Sequence, residues 1–218
     1  MLRLVPEVRS GRPLRLLCIG AHSDDLEIGC GGTALTWLAT MPAVEVTWVV
    51  LSAEGVRAAE ARRSARSLLA RAVSSRVIVA DFRDCYFQAQ YTELKGYFEN
   101  LRKDVDADIV LTHCLQDRHQ DHRLTAELTW NTWRNHLVLE YEIPKYEGDL
   151  QTPNAYVPIP ASLARRKVSH LDRCFASQRR KDWFATETFL GLMRLRGLES
   201  RAESGFAEAF HARKLVFS

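Results

Sequence analysis

A single α/β domain over residues 1–218, with a mainly parallel sheet between two layers of helices, is the fold that three observations predict. Short apolar runs rich in Val, Ile and Leu alternate with longer segments in which apolar residues recur at helical spacing. The first part of the chain follows the order strand, helix, strand, helix, strand, helix, strand, which calls for right-handed crossovers and parallel strands. With 46% hydrophobic and 26% charged residues, a chain of 218 residues can form one sizeable core but is short for two. Together these features predict a Rossmann-like three-layer fold.

The predicted strands are segments in which β-branched, aromatic and other apolar residues run together. Residues 44–51 (VEVTWVVL) are the clearest case. Residues 16–19 (LLCI) are a shorter, buried strand, after which Gly20 and Ala21 let the backbone leave the sheet. The same pattern predicts strands at residues 76–80, 108–112 and 136–143.

The predicted helices are the segments with helical spacing of apolar residues. Residues 56–72 are strongly amphipathic, with Ala, Leu and Arg at that spacing. Residues 31–40 have helical character and stop before Pro42, because a residue that precedes proline leaves the α region. The remaining helices are predicted at residues 91–105, 124–133, 161–174 and 183–196.

The segment at residues 144–160 contains four prolines, too many for a helix or a central strand. It is predicted to be a loop or an edge ribbon. Long ordered loops tend to be functional, so this segment could overhang a site. A surface loop without a role in the site is an equally weighted alternative.

Charge and cysteine content limit the partners and the compartment. A net charge of +3, from 30 basic and 27 acidic residues, gives no strong case for binding to a nucleic acid or an anionic membrane surface. Five cysteines without CxxC spacing favour reduced thiols in a cytoplasmic protein. The N-terminus does not resemble a signal peptide, and no run of about eighteen apolar residues predicts membrane insertion. Formation of a homo-oligomer stays open.

Ionisable residues follow the first predicted strand directly. His22, Asp24 and Asp25 fall within four residues, before a glycine-rich stretch. Open α/β folds keep their sites at the carboxyl edge of the sheet. An imidazole and a carboxylate there can hold one divalent metal ion, and the second carboxylate can act on a water. The alternative is a capped helix start, since Ser23, Asp24 and Asp25 are good N-cap residues.

A second polar cluster follows the fourth predicted strand, with His113, Asp117, His119, Asp121 and His122. The ends of strands one and four can lie side by side in such a sheet, so this loop could face the first cluster. A third ligand at His122 would leave one position open for water, as a hydrolytic metal requires. A polar loop rich in His by chance is the alternative, but it must explain two such loops at two strand ends.

Residues 20–33 (GAHSDDLEIGCGGT) and 117–122 (DRHQDH) resemble the paired signature of the PIG-L/LmbE-like zinc-dependent N-deacetylases, usually written AHPDDE and HPDH. Residues 56–65 are similar to the family's arginine-bearing helix, and residues 196–210 to its RG…AEAF tail. Within that tail we predict packing roles for Glu208 and Phe210.

The resemblance implies a role for each matching residue. His22, Asp25 and His122 would be the metal ligands, with zinc or ferrous iron as the metal, and Asp24 would be the general base on a water held by that metal. His119 would stabilise the oxyanion and protonate the leaving amine, with Asp121 tuning it.

Two further assignments and two departures follow from the same comparison of motifs. Arg57 and Asp84 match family residues that contact sugar hydroxyls. Ser23 stands where the family usually has proline, and Leu26 where it usually has glutamate. Neither position supplies a ligand or the base, so the departures concern the surrounding support and the substrate subgroup.

We therefore predict a metal-dependent hydrolase that removes an N-acetyl or related N-acyl group from a small amino-sugar-containing substrate by attack of a metal-bound water. One alternative is a Rossmann-like nucleotide- or dinucleotide-binding protein, but GxGxxG is not met and no acidic residue ends the second strand. The other is a non-catalytic binding member of the same fold, although every candidate position carries a suitable residue type.

Overall fold

The computed structural model describes residues 4–6 and 11–216. Within them the chain forms one sheet of seven strands with helices on both faces. The strands are Leu14–His22 (β1), Val44–Ser52 (β2), Ser74–Val79 (β3), Ile109–His113 (β4), Leu137–Tyr141 (β5), Ala155–Pro158 (β6) and Ala207–Ala212 (β7). The helices are Asp25–Thr40 (α1), Gly55–Leu68 (α2), Tyr91–Asp104 (α3), Gln120–Thr132 (α4), Ala161–Cys174 (α5) and Thr186–Glu199 (α6). The predicted three-layer α/β fold is confirmed.

The strand order is β3-β2-β1-β4-β5-β7-β6. The first five strands run parallel, and β7 pairs antiparallel with both β5 and β6. Because β1 pairs with β4, with Leu16 opposite Ile109, the two strand ends that carry the polar clusters are neighbours. This adjacency was predicted.

Alternate side chains of β1 enter two different apolar layers, as strand geometry requires. Leu16 and Cys18 belong to the cluster that packs against α1, α2, α5 and α6, whereas Leu17 and Ile19 belong to the cluster that packs against α3 and α4. A strand that helices cover on both faces has a nearly continuous apolar sequence. Among the described residues no helix has the length and apolar character needed to cross a bilayer.

Helix α1 begins at Asp25, six residues before the predicted start at residue 31. Glycine is a poor helix former, so the local pattern before residue 31 carries little helical signal. In the structure two of these glycines allow close packing: a Cβ on Gly29 would lie 2.2 Å from the ring of Tyr141, and one on Gly32 would lie 2.8 Å from Glu208 Oε1. The early start places Asp25 in the first helical turn, where its direction is fixed.

Two elements of the back half differ from the prediction or refine it. Residues 207–212, predicted only to pack, form β7 between β5 and β6. The proline-rich segment at residues 144–160 contributes the edge strand β6, where Pro158 is tolerated because an edge strand has unpaired backbone positions.

Candidate metal centre

The candidate site lies where the carboxyl ends of β1 and β4 meet the first turns of α1 and α4. His22 is the last residue of β1, and Asp25 is the first of α1. His122 lies in the first turn of α4, for which His119 is the N-cap. Parallel strands therefore bring residues a hundred positions apart to one edge of the sheet.

Three donor atoms converge at this edge. His22 Nδ1 lies 3.1 Å from His122 Nε2 and 3.4 Å from Asp25 Oδ2, and the latter two atoms are 3.5 Å apart. Ligand atoms bound tetrahedrally at about 2.0–2.2 Å are separated by about 3.3–3.6 Å. These three side chains, which we call the donor trio, thus have the spacing that a small divalent ion needs.

Each imidazole of the donor trio has a carboxylate on its other ring nitrogen. His122 Nδ1 lies 3.0 Å from Asp117 Oδ2. His22 Nε2 lies 3.2 Å from Asp121 Oδ2 and 3.0 Å from Asp84 Oδ1. A carboxylate at one nitrogen fixes the tautomer and ring orientation, so the other nitrogen presents its lone pair to the centre of the trio.

Asp25 is held as an anion. Burial alone would raise its pKa, but the nearby His122, His113 and His22 outweigh this and hold the pKa well below its usual value. Its Oδ2 also accepts a hydrogen bond from the backbone N–H of His22 at 2.6 Å. An oriented carboxylate anion is the form that binds a metal.

His113 belongs to this cluster, although the sequence motifs assign no role to it. Its Nε2 lies 3.0 Å from Asp25 Oδ2 and 3.0 Å from the backbone nitrogen of Ala21, and its ring stacks on that of His122 at 3.9 Å. Burial lowers its pKa to about 4, so the ring is neutral at pH 7.

Three other trios among the described residues have donor atoms close enough for a metal ion: His22, His119 and His122; Asp25, His113 and His122; and His22, Asp84 and Asp121. We favour the donor trio for two reasons. One ring nitrogen of His113 and one of His119 are engaged by backbone N–H groups. Asp84 and Asp121 lie at Nε2 of His22, the nitrogen that faces away from His122.

The long segment after β5 reaches the site through Lys145. Its Nζ lies 3.0 Å from Asp117 Oδ2 and 2.8 Å from Asp149 Oδ2. Burial would raise the pKa of Asp117, but the hydrogen bond from His122 and the charges of His122, His113 and Lys145 hold it well below its usual value. Lys145 therefore supports the carboxylate that orients His122. The sequence placed Asp117 in the cluster but did not reveal this support.

Asp121 makes hydrogen bonds that the family resemblance did not imply. Its carboxylate contacts His22 and accepts hydrogen bonds from the backbone N–H groups of Cys85 at 2.6 Å and Phe87 at 3.2 Å. Only its backbone N–H contacts the His119 ring, at 3.3 Å from Nδ1. The Asp121 carboxylate therefore makes its hydrogen bonds elsewhere, and it acts on His119 through its charge, which opposes the effect of burial by raising the pKa of that ring. The two-residue spacing at the start of α4 explains why the side chains are not in direct contact, since such side chains do not face each other.

His119 stacks on His122, with ring centroids 4.5 Å apart. Because its Nδ1 accepts the backbone N–H of Asp121, the neutral ring carries its proton on Nε2. Burial lowers the pKa of His119, and the charges of His122 and His22 lower it further. The ring thus presents an N–H donor beside the donor trio.

Asp24 is buried next to the donor trio and has one unpaired oxygen. Its Oδ1 lies 3.4 Å from Arg57, whereas Oδ2 has no hydrogen-bond partner among the described residues. Burial and the charge of Asp25 raise the pKa of Asp24, and Arg57 opposes this. A carboxylate with a raised pKa and a free oxygen can accept a proton near neutral pH.

Arg57 and Asp84 lie at the open side of the site and contact each other. Arg57 Nη1 donates to Asp84 Oδ2 at 3.1 Å, and Arg57 Nε donates to Ser23 Oγ at 3.1 Å. The side chain of Asp84 is 46% exposed. Both residues are accessible at the mouth, which suits groups that meet a substrate.

The structure shows where Leu26, which stands in place of the family's usual glutamate, and its neighbour Glu27 lie. Leu26 is fully buried in the core, and Glu27 turns toward α2 instead. Ser64 Oγ donates to Glu27 Oε1 at 2.5 Å and lies 2.8 Å from His170 Nε2. Burial raises the pKa of Glu27 to about 8 and lowers that of His170 to about 4. This polar group lies outside the donor trio.

Comparisons with known proteins place the chain among related sequences and folds. The model of the PIG-L family, described as GlcNAc-PI de-N-acetylase, matches residues 17–133. No curated protein is a significant sequence match.

Several solved structures share the fold. A 4-carboxy-2-hydroxymuconate hydratase from Pseudomonas putida is 20% identical, with a TM-score of 0.72 over 94% of this chain and 98% of that chain. An N,N'-diacetylchitobiose deacetylase from Pyrococcus horikoshii is 20% identical, with a TM-score of 0.63 over 90% and 82%. The zinc-inhibited form of a teicoplanin deacetylase is 15% identical, with a TM-score of 0.65 over 90% and 96%.

Proposed function

Because the chain belongs to the PIG-L family of GlcNAc-PI de-N-acetylases, we propose that it is a metal-dependent hydrolase that removes an N-acetyl or related N-acyl group from an amino-sugar-containing small molecule. The observation that carries the proposal is the donor trio of His22, Asp25 and His122, with mutual distances of 3.1–3.5 Å. A hydrolase of this kind would act as a single domain over residues 1–218.

The donor chemistry of the trio fits zinc, with ferrous iron as the alternative. Two imidazole nitrogens and one carboxylate oxygen form a common ligand set for a catalytic zinc ion that keeps an open position. The zinc-inhibited form of a teicoplanin deacetylase indicates that zinc binds to a protein of this fold. A divalent ion held by the trio would lower the pKa of a water and polarise the amide carbonyl.

The surrounding side chains would carry out the proton transfers. Asp24, through its free Oδ2, takes the proton of the attacking water. His119 Nε2 donates to the developing oxyanion and, when the ring is protonated, to the departing nitrogen, without which an amine leaves poorly. Asp121 acts through His22.

Arg57 and Asp84 would contact hydroxyl groups of the sugar. Their mutual pairing at the mouth, 3.1 Å between Nη1 and Oδ2, leaves further N–H groups of Arg57 for a ligand. Asp84 Oδ1 lies 3.0 Å from His22 Nε2, and a carboxylate oxygen can accept a second hydrogen bond from a hydroxyl. Guanidinium and carboxylate groups are suited to the donor and acceptor sides of a hydroxyl.

The hydratase among the similar structures shows that this fold carries more than one reaction. The family match is to a de-N-acetylase, which favours amide hydrolysis for this chain. His119 beside the donor trio supports this choice because it supplies the proton that an amine leaving group needs.

The test is release of free amine by the purified protein from a panel of N-acetylated sugars, nucleotide sugars and N-acetylated natural-product intermediates. The protein is assayed after chelation and after reloading with zinc or ferrous ion. We expect amine release with at least one panel member, lost on chelation and restored by one of the ions. Activity that is unaffected by chelation would overturn the metal dependence. No amine release from any panel member, together with addition of water to 4-carboxy-2-hydroxymuconate in a parallel assay, would favour the hydratase reaction.

A further inference from the structure

We propose that Ser23 is a positioning residue whose hydroxyl fixes the guanidinium of Arg57, and that Arg57 in turn holds Asp24 with one oxygen free. This inference rests on the proposed function, since it assigns Asp24 to the reaction. Ser23 stands in the position where related motifs carry proline, which has no hydroxyl, so the role would distinguish this chain.

The guanidinium of Arg57 is held at three points. Nε donates to Ser23 Oγ at 3.1 Å, Nη1 donates to Asp84 Oδ2 at 3.1 Å, and Nη2 donates to Asp24 Oδ1 at 3.4 Å. A planar guanidinium that donates hydrogen bonds from all three of its nitrogens has a defined orientation. Ser23 is fully buried, between the ends of β1 and α1, so its hydroxyl is a rigid anchor.

Arg57 contacts two carboxylates, those of Asp24 and Asp84, which differ in burial and in distance. Asp84 is 46% exposed and makes the shorter contact, whereas Asp24 is buried and makes the longer one. Without an inner anchor, the guanidinium would move toward Asp84 and solvent. The Ser23 hydroxyl opposes this movement from the buried side.

The consequence concerns the free oxygen of Asp24. Arg57 engages Oδ1, and Oδ2 remains without a partner among the described residues. If Arg57 moves outward, the carboxylate can rotate and lose this alignment. Arg57 would keep its partner Asp84 at the mouth, where the substrate contacts lie, so the loss should lower kcat through the reacting group more than it raises KM.

A purely structural role of Ser23, such as filling the turn before α1, makes a different prediction. Loss of the hydroxyl would then act independently of Arg57, and the two substitutions would add. If the hydroxyl acts through Arg57, the effect of losing the hydroxyl must disappear in a variant that lacks the Arg57 guanidinium that donates to it.

The first experiment is a double-mutant cycle on the metal-loaded enzyme with Ser23→Ala, Arg57→Lys and the double variant, with Ser23→Thr as the variant that keeps the hydroxyl. We expect Ser23→Ala to lower kcat about tenfold with unchanged metal content, the loss expected for a hydrogen bond to a charged group. Ser23→Thr should retain most of the activity, and the double variant should match Arg57→Lys.

The control Arg62→Lys changes a guanidinium on the same helix that contacts Val79 O, and it should leave kcat unchanged. Additive losses in the cycle would overturn the proposal.

The second experiment does not need activity. The Nε–H resonance of Arg57, assigned by its absence in Arg57→Lys, is followed by ¹⁵N NMR in the wild-type protein and in Ser23→Ala. We expect slow hydrogen exchange in the wild-type protein and faster exchange with a shifted resonance in Ser23→Ala. An unchanged resonance overturns the Ser23 proposal. If the NMR result holds while no substrate yields free amine, the anchor stands and the proposed function fails.

Discussion

Glu208 hydrogen-bonds the backbone of Gly32 across 176 residues of sequence, with 2.8 Å between Oε1 and the amide nitrogen. In a regular helix the Gly32 N–H would donate to the Ile28 carbonyl. Here Lys167 Nζ donates to that carbonyl at 2.5 Å and lies 2.7 Å from Glu208 Oε1. A buried ion pair thus contacts the Gly32 N–H and the Ile28 carbonyl of α1, about one turn after Asp25. Glu208 therefore does more than the packing that we predicted for it.

The first prediction is that Lys167→Met strongly destabilises the fold. The side chains of Lys167 and Glu208 are only 3% and 4% exposed, so removing the ammonium leaves a buried carboxylate unpaired. Loss of one partner of such a pair costs about 3–5 kcal/mol in free energy of unfolding. Urea denaturation of the variant measures the loss, with Lys103→Met on the exposed side of α3 as control. Adding Glu208→Gln should recover part of the stability; a double variant as unstable as the sum of both single changes would contradict this account.

The second prediction concerns metal binding. His122→Ala removes one of the three donor atoms, so stoichiometric zinc binding should be lost, as measured by elemental analysis and calorimetry. His136→Ala, a histidine outside the site, should bind zinc as the wild type does. Wild-type affinity in His122→Ala would remove this residue from the ligand set.

The third prediction separates the two adjacent carboxylates. Asp24→Asn should keep the metal and lower turnover by about 10²–10⁴, the range for loss of a positioned general base. Asp25→Asn should lose metal and activity together, because Asp25 Oδ2 belongs to the donor trio. Metal content and turnover are measured on the same preparations. Equal metal loss in both variants would show that the two roles are exchanged or shared.

Much of this site could be predicted because its signals are local in sequence. Each polar cluster follows an apolar strand directly, and parallel pairing of β1 with β4 then brings His22 and His122 together. The strand and helix patterns of the first 133 residues also depend on local periodicity. The start of α1 was misplaced because Gly29 and Gly32 serve contacts with distant residues rather than helix propensity.

Interactions between distant segments could not be predicted. Strand β7 contains a buried glutamate whose partners, Gly32 and Lys167, lie in other elements. The support of Asp117 by Lys145 likewise depends on how the segment after β5 folds back. The contacts of Asp121 depend on the backbone N–H of Cys85, which no motif reveals.

The fourth prediction concerns the two carboxylates that orient the histidines. Asp117→Asn and Asp121→Asn should each weaken zinc affinity about 10–100-fold while the fold is retained, since such outer partners fix the ligand ring. For Asp121→Asn this adds to the expectation of an altered His119, because the carboxylate contacts His22 as well as raising the pKa of His119 through its charge. Competition with a chelator measures the affinities. Asp149 contacts Lys145 rather than the His122 ring, so Asp149→Asn should weaken zinc affinity less. If Asp149→Asn loses as much affinity as Asp117→Asn, the orientation of His122 depends on Lys145 rather than on Asp117 alone.

The last prediction concerns the pH dependence of stability and follows from Glu27. Burial raises the pKa of Glu27 in the folded protein to about 8. In the unfolded chain a glutamate titrates near about 4.3. Between these values the folded state keeps a proton that the unfolded state has released, so the free energy of unfolding falls as pH rises. His170 has a pKa of about 4 in the folded protein, so it makes the free energy of unfolding rise with pH. This contribution ends near the pKa of histidine in the unfolded chain, at about 6.5. The effect of Glu27 is therefore isolated from that of His170 between about pH 6.5 and 8.

Glu27→Gln keeps an oxygen for the Ser64 hydroxyl and removes the titration. We expect the Tm of the wild-type protein to fall from about pH 6.5 to 8 and that of Glu27→Gln to fall less, so that the difference between them grows with pH. Other titrating groups are common to both proteins and cancel in this difference. Glu93→Gln on the exposed face of α3 is the control and should follow the wild type. Parallel Tm curves for the wild type and Glu27→Gln would mean that Glu27 is already ionised in the folded protein at pH 6.5, with water or a rearranged Ser64 and His170 supplying partners for its second oxygen.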